Sequence, residues 1–595
     1  VKLKPDLSAA AGLIHRVDGI LRMWGPVILV VLAVLYYGSY LNNGLNLGGE
    51  GGTTAVIAMR LMEGQRPIVD TFLGYNVLWF YPITWLFSIT GPDYLALRVF
   101  FFAVCLFTAI LAFITIRKIT GSGLLALGIG IMLILIPGML FRNYMGLMGV
   151  ANQWALVSAF LLPVIGFRQR VLLIGGAGAV LGLTFLIRIE IGLFMSVIVI
   201  GLLLLNVFKP GRSCVVGVKE SLVGGSLGLL ALVLVHLPFA WDAHTRGYAP
   251  QFYGQYTSFV GLMKWELQKQ MEPMFAKPSP PLRVKKSEKA ADAIQQIETV
   301  STTPEAGGRR LRPEVNEIFS SSKPRDRFFA AAIYLPVLVS LAMVIGATIT
   351  FLAAWLRGSE KLWNESLIVL VLTGCALTLF PQYFFFRPDT PHISEFMVPF
   401  LPAIVVTTFL ILKRAKSRVG YLMGAAVLAL SALQIWVHFG HAWPKESAGT
   451  IAARKNGPAE FVALNNVRVK LRPQNAEALA GLQSAIVDHS SPKDWVVCFP
   501  YSPTINFMTD RPSYLWDLYT DNTMAGPDFD SFHIALLKRK NPAAVVIDHR
   551  AINNNEASRF PNWAPQFYAY LKENYRFGGE YLGNEVFLRK DAPQP

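Results

Sequence analysis

The chain carries apolar runs too long and too many for a soluble core. They lie at 23–41, 97–116, 123–140, 153–167, 171–187, 191–208, 221–241, 328–356, 366–385, 394–412 and 419–438. A helix crossing a bilayer needs roughly 20 such residues, and most runs meet that length; those at 153–167 and 171–187 are short and bounded by charge. In lipid the backbone must satisfy its own hydrogen bonds, so the runs are read as helices. Only 15% of the residues are charged while 53% are hydrophobic, against about 25% charged in a soluble domain. The expected fold is a polytopic α-helical membrane protein with about eleven spans, outer juxtamembrane helices and a C-terminal α/β domain.

The net charge of +16 has a topological reading that displaces nucleic-acid binding: short cytoplasmic loops collect Lys and Arg. With Lys2, Lys4, Arg16 and Arg22 inside, alternation puts Arg117/Lys118, Arg168/Arg170, Lys209/Arg212/Lys219, Arg357/Lys361 and Lys413/Arg414/Lys416/Arg418 inside as well. Residues 77–90 are apolar but only 14 long. Counting them as a span would invert every later loop, so they are read as a helix at or dipping into the outer leaflet. The outer side then receives the loop 42–96, the loop 141–152, the long loop 242–327, the turn 386–393 and the tail. The first run follows a basic segment and continues past 18 residues, which reads as an anchor and not a cleaved leader. The four cysteines have the spacing of neither a disulfide framework nor a zinc site. Together these features suit a bacterial inner membrane, with the N-terminus cytoplasmic and the tail periplasmic.

Two domains are expected: 1–438 in the membrane and 439–595 outside it. The 242–327 loop is basic and rich in Pro and Ser, around SPPLRVKKSEK and GGRRLRPEV. It reads as a partly disordered insertion or as a basic flap near phosphate headgroups. In the tail, DWVVCFPY (494–501) and AAVVIDH (543–549) have the pattern of buried strands, PTINFMTDRP and DSFHIALLKRKN that of helices, and EYLGNEVFLRK (580–590) that of a hairpin turning at Gly583–Asn584. The tail shows no glycine-rich nucleotide loop, no CxxC and no GxSxG.

The first outer loop, NNGLNLGGEGGTTAVIAMRLMEGQRPIVDTFLGYNVLWFYP, is the most informative stretch. Glu50 stands between glycine pairs, which let backbone approach a ligand closely. A short helix, Thr53–Met62, then GQRPIVD with Asp70, and an aromatic–proline entry into the membrane follow. A half-shielded carboxylate there suits a general base; the plainer reading is charge at a helix N-terminus.

In this order the segments GEGG…AMRLMEGQRPIVDTFLGYN…FYP, then GPDYLALRVFFFAVCL with Arg98, resemble the opening of the large membrane glycosyltransferases of GT-C type, lipid A aminoarabinose transferases and protein mannosyltransferase-like bacterial proteins among them. FPYSPTINFMTDRPSYLW resembles a strand–helix of their outer domains. The resemblance covers residues 23–120 well and the later helices by layout. A single Glu50 stands for the usual acidic pair, and Ile68 stands where Tyr is common. The resemblance implies transfer of a sugar from a polyprenyl-phosphate donor to a lipid, glycan or protein acceptor, with Glu50 as catalytic base, Asp70 as the second acidic position and Tyr75 in support.

Further outer turns add charge. LIRIEIGLF puts Arg188 and Glu190 at a helix end, FFFRPDTPHISEF does so with Arg387, Asp389 and His392, and FRNYMG brings Arg142 to the same face. Ionisable groups there are functional candidates, or they tie helices together. Arg387, Arg188 and Arg142 are the candidate donor-phosphate ligands, since guanidinium pairs with phosphate bidentately; Asp389, His392 and Glu190 are candidate supporting groups. No metal site is assigned, and a divalent cation held by His392 and Asp389 with Glu50 or Asp70 is the open alternative. An O-antigen ligase or polymerase would need paired arginines and a histidine in its long loop, which here has Arg309, Arg310 and Arg312 with no histidine near them. A transporter would show repeated halves, and none is visible.

Overall fold

The structure, a computed structural model, describes residues 7–38, 41–45, 47, 52–136, 144–161, 166–258, 324–380, 390–415, 460–520, 525–526, 528–551 and 556–591, with scattered positions in 422–436. Among these, seven helices are long and apolar enough to cross a membrane, within Leu7–Tyr37 (α1), Tyr94–Thr120 (α4), Phe167–Ile187 (α7), Ile189–Val207 (α8), Cys214–Thr245 (α9), Pro324–Leu356 (α10) and Thr390–Arg414 (α12). Gly123–Leu135 (α5), Tyr144–Leu156 with the π turn Val157–Leu161 (α6), and Glu360–Leu377 (α11) complete the bundle. The chain is a multi-pass helical membrane protein. Gly52–Met62 (α2) and Tyr81–Thr90 (α3) lie in the first loop.

Local chemistry explains the element ends. Asp93 caps α4, its Oδ1 accepting from the amides of Leu95 at 2.7 Å and Ala96 at 3.2 Å. The helix stops at Gly121 in the left-handed region, φ 70°, and Ser122 caps the next. Helix α12 is the buried centre, with 78% of its apolar window inside the protein, whereas α1 and α9 keep only 17% and 11% buried and face outward. Small residues let α7 and α9 cross closely: a Cβ on Gly178 would overlap the backbone of Gly228.

At one end of the bundle the basic loops are ion-paired. Arg170 and Arg212 meet Glu220, which is 2% exposed, Lys209 meets Glu360 at 3.1 Å, Arg414 meets Glu365, and Arg22 meets Asp18 at 2.7 Å. Asp18 also accepts from Ser122 Oγ and the Leu124 amide, tying α1 to α5.

Several expected boundaries shift. The outer loop 141–152 is already helical from Tyr144; Asn152 and Gln153, which lower its hydropathy, are bonded internally, Asn152 to Thr184 and Gln153 to the carbonyls of Leu372 and Pro399. Helix α5 ends at Leu135 instead of 140, and α11 covers Glu360–Leu377 instead of 366–385. Helix α9 extends to Thr245, and residues 249–258 of the expected long loop are helical; residues 259–323 lie outside the described residues.

Beyond the bundle stand two sheets. Glu460–Leu464 (β1) and Val467–Leu471 (β2) form an antiparallel hairpin. Val496–Phe499 (β3), Ala544–Asp548 (β4), Tyr575–Tyr581 (β5) and Asn584–Arg589 (β6) form a sheet of order β3-β4-β6-β5, with β3 and β4 parallel. The helices are Pro473–Val487 (α13), Thr504–Thr509 (α14), Phe529–Lys540 (α15), Phe560–Trp563 (α16) and Pro565–Asn574 (α17). The hairpin turn falls at Leu582–Gly583, both left-handed at φ 52° and 74°, one residue before its expected position; such a two-residue turn matches strand twist. The β1–β2 hairpin packs on the first outer loop at the end opposite the ion-paired loops. The eleventh expected span, 419–438, lies outside the described residues but for scattered positions.

Candidate active site

The first outer loop is clamped by side chains that spend their charge on backbone carbonyls. Arg60, on α2 and 4% exposed, donates from Nη1 to Thr71 Oγ1 at 3.0 Å and to the Leu515 carbonyl at 2.8 Å, and from Nη2 to the Ser513 carbonyl at 2.6 Å. Burial pushes its pKa down to about 10, with Glu63 acting the other way, so it stays charged near neutrality. Arg98, at the start of α4, donates to the carbonyls of Leu41, Asn43 and Gly44 at 3.1, 3.0 and 2.8 Å. The C-terminal hairpin completes this grip: the Gly44 amide donates to the Lys470 carbonyl at 2.9 Å, the Lys470 amide donates to the Asn42 carbonyl at 2.6 Å, and Arg468 pairs with Asp93.

Two close approaches fix α2 and the turn after it. Gly52 opens α2 against Thr504; an added Cβ would overlap Thr504 Oγ1 and stand 2.8 Å from its backbone N. Ile68 sits at φ 71°, a costly conformation for a β-branched residue. Its amide bonds the Thr71 carbonyl at 3.0 Å and its carbonyl accepts from Trp516 Nε1 at 3.1 Å. Glycine or Asn would relieve the backbone, whereas Ile keeps a partly buried apolar contact with the core.

Asp70 closes the same turn. Its carboxylate takes both arms of Arg66, at 3.1 and 3.0 Å, and the Arg66 amide at 2.7 Å. The hydrogen bonds from Arg66 outweigh burial and hold its pKa below the usual carboxylate range, with Arg246 assisting. A carboxylate so neutralised is a weak base, and its arrangement suits the orienting role. A carboxylate that the sequence reading passed over lies nearby: Asp242, at the end of α9, accepts from Tyr81 at 3.2 Å, Tyr248 at 2.5 Å and Arg246 at 3.4 Å. Arg246 also reaches the Gly64 carbonyl, so Asp242 anchors α9 to the first loop. Its signal was the WDAH at an apolar helix end.

Beneath the loop lies the break between α7 and α8. Arg188 is extended, at φ −149° and ψ 117°, and separates the two helices. Asn76 ties the loop to this break: its amide donates to the Ile187 carbonyl at 3.3 Å and its Nδ2 to the Phe185 carbonyl at 2.9 Å, while its Oδ1 caps the 3-10 turn Val77–Trp79. Arg188 pairs with Glu190, both nearly buried, and its guanidinium lies 4.8 Å from the centre of the Tyr75 ring. Tyr75 stacks on Trp79 at 3.9 Å, and Trp79 meets Tyr144 at 4.9 Å.

Of the expected residues, Tyr75, Arg188 and Glu190 thus come together. Asp70 stands apart from them in the Arg66 turn. Glu50, Arg142, Arg387 and Asp389 lie outside the described residues; His392 is in the first turn of α12, its side chain outside them too. Among the described residues no three His, Cys, Asp or Glu side chains stand as a metal-binding group.

No protein-family model matches the chain, and no curated protein does. Among solved structures it is similar to ArnT from Cupriavidus metallidurans in the apo state, at 13% identity and TM-score 0.45, over 94% of this chain and 97% of that one. It is also similar to ArnT from Cupriavidus metallidurans bound to undecaprenyl phosphate, at 12% identity and TM-score 0.44, over 96% and 99%.

Proposed function

We propose that the protein is a glycosyltransferase that moves a sugar from a polyprenyl-phosphate donor to a lipid, glycan or protein acceptor, at the periplasmic face of a bacterial inner membrane. The observation that carries this reading is the joint between the first outer loop and the α7–α8 break. Asn76 and Tyr75 of the loop that bears Glu50 contact Ile187 and Arg188 directly. An acidic loop and an arginine at one bundle end are the two parts this chemistry requires. The order of motifs along residues 23–120 supports the same reading.

In the reaction, Glu50 takes the acceptor hydroxyl proton. The acceptor oxygen bonds to the anomeric carbon while the bond from that carbon to the phosphate oxygen breaks. The electron pair leaves with polyprenyl phosphate, whose charge Arg188, Arg142 and Arg387 stabilise. Arg188 starts paired with Glu190, so phosphate would share or replace that carboxylate. Asp70 keeps the turn in shape, Tyr75 carries the Arg188 face, and Asp389 and His392 support from the start of α12. Helices α1 and α9, with their outward apolar faces, meet the surrounding lipid.

The test is donor consumption. Protein reconstituted in bilayers is given polyprenyl-phosphate sugars with cell-envelope lipid as acceptor, and released polyprenyl phosphate is measured by mass spectrometry. Release that depends on the acceptor is expected; an intact donor in every pairing would overturn the reading.

A further inference from the structure

The parallel strands β3 and β4 end side by side, and no step above uses the residues just beyond them, where an open α/β sheet leaves a crevice. Crevices outside the carboxyl ends of parallel strands are the usual ligand sites of open α/β sheets. Asp548, 1% exposed, closes β4 and binds Arg550: Nε reaches Oδ1 and Oδ2 at 2.9 Å, and Nη2 reaches Oδ2 at 2.5 Å. Ser502 donates to the same carboxylate at 3.0 Å. Arg550 itself is 47% exposed, and its Nη1 edge donates to no partner among the described residues. One side of the fork is therefore fixed by a buried acid, and the other side is presented ready-oriented. Beside it Tyr501 stacks on Tyr519 at 5.0 Å and 27°, and the Thr520 amide holds the Pro500 carbonyl at 3.0 Å. Tyr501 directly precedes Ser502, whose hydroxyl shares the Asp548 carboxylate with Arg550.

We propose that this crevice binds an anionic saccharide, with its acid group on the free edge of Arg550 and its ring against Tyr501 and Tyr519. A guanidinium held in plane matches a carboxylate or phosphate, and a tyrosine pair offers an apolar face with polar tips, as a sugar ring requires. The place is apt: Ser502 is two residues before Thr504, which packs on Gly52, and Gly52 is two residues after Glu50. The crevice thus adjoins the acidic first loop, and its occupant is the acid-bearing sugar of the acceptor. That last role, though not the binding itself, rests on the transfer reading.

Titration calorimetry on the full chain in lipid nanodiscs, without donor, tests it with glucuronic acid, glucose 6-phosphate, glucose and inorganic phosphate. Both acid sugars are expected to bind, with glucose and phosphate about tenfold weaker or more; the two acid sugars together tell carboxylate from phosphate. Arg550→Gln should weaken the acid sugars about tenfold. Because it also strands the buried Asp548, Arg550→Lys, which keeps the charge but not the fork, is run alongside with a melting curve. Tyr519→Ala should weaken the acid sugars about fivefold and leave phosphate unchanged. Absence of binding, equal binding of glucose, or indifference to Tyr519→Ala would overturn the proposal. Glu50→Gln is titrated too: binding retained there while transfer is lost keeps the two readings separable, and binding in a protein that transfers nothing would sink only the acceptor role.

Discussion

The arginines that join helices at the basic end and the two that clamp the first outer loop differ in their main partners. At the basic end Arg170, Arg212, Arg414 and Arg22 face carboxylates, so that the charges cancel where helices meet. At the other end Arg60 and Arg98 face neutral carbonyls, and five of the six hydrogen bonds described for them end on backbone oxygen. The first arrangement ties helix to helix. The second fixes the path of irregular chain, which has no ladder of its own to hold it. The path of the first outer loop is thus set largely by cations bound to carbonyls, while Asp70 and Asp93 are paired with Arg66 and Arg468.

The comparison can be broken most sharply at Arg60. Arg60→Met removes three donors and leaves two carbonyls buried without them, at a cost of about 3 kcal/mol. Hydrogen exchange should then rise together in residues 52–72 and 513–516, and transfer should fall; exchange rising in α2 alone would mean that the C-terminal segment is not gripped there. Gly52→Ala comes next, at about 1–3 kcal/mol of overlap with Thr504. Thr504→Ala in the same chain should return only part of it, because the backbone N remains 2.8 Å from the new Cβ; full recovery would show that only the hydroxyl is crowded.

At the opposite end, Arg414→Gln should cost about 1 kcal/mol by breaking a partly buried pair. Transfer per folded molecule should not change, and a specific loss of transfer would remove the contrast between the ends. Asp70→Asn should have the smallest effect, a slight drop in melting temperature that salt erases. Its sign with pH follows from its lowered folded pKa. The contribution is complete above the ordinary carboxylate value of about 3.8 and fades only as pH falls through the lower folded value. Melting curves of wild type and variant should therefore run parallel from pH 8 to about pH 5 and converge in acid.

Much of the fold was legible in the sequence because lipid imposes length and loop charge imposes direction. The strands at 496–499 and 544–548 were readable as short buried apolar runs. The β1–β2 hairpin was not read: Arg468 and Lys470 make VRVKL look like a basic tail, although Val467, Val469 and Leu471 alternate inward. Those two residues are what hold Asp93 and Asn42. Arg188 and Glu190, named from a single helix end, stand together because they are two residues apart. The site was not legible where partners are distant: Arg60 finds its carbonyls 453 and 455 residues away, and no spacing rule links them. Ile68, a departure from the resembled pattern, proved to hold a left-handed turn that Trp516 pins.

The most direct measurement is single-turnover sugar transfer by Glu50→Gln in bilayers, with folding checked by its melting curve. Replacing an acid by its neutral isostere at the proposed base should slow transfer by about 10²–10⁴ while donor binding persists. Transfer at the wild-type rate would contradict the assignment and leave the clamped loop a purely structural element.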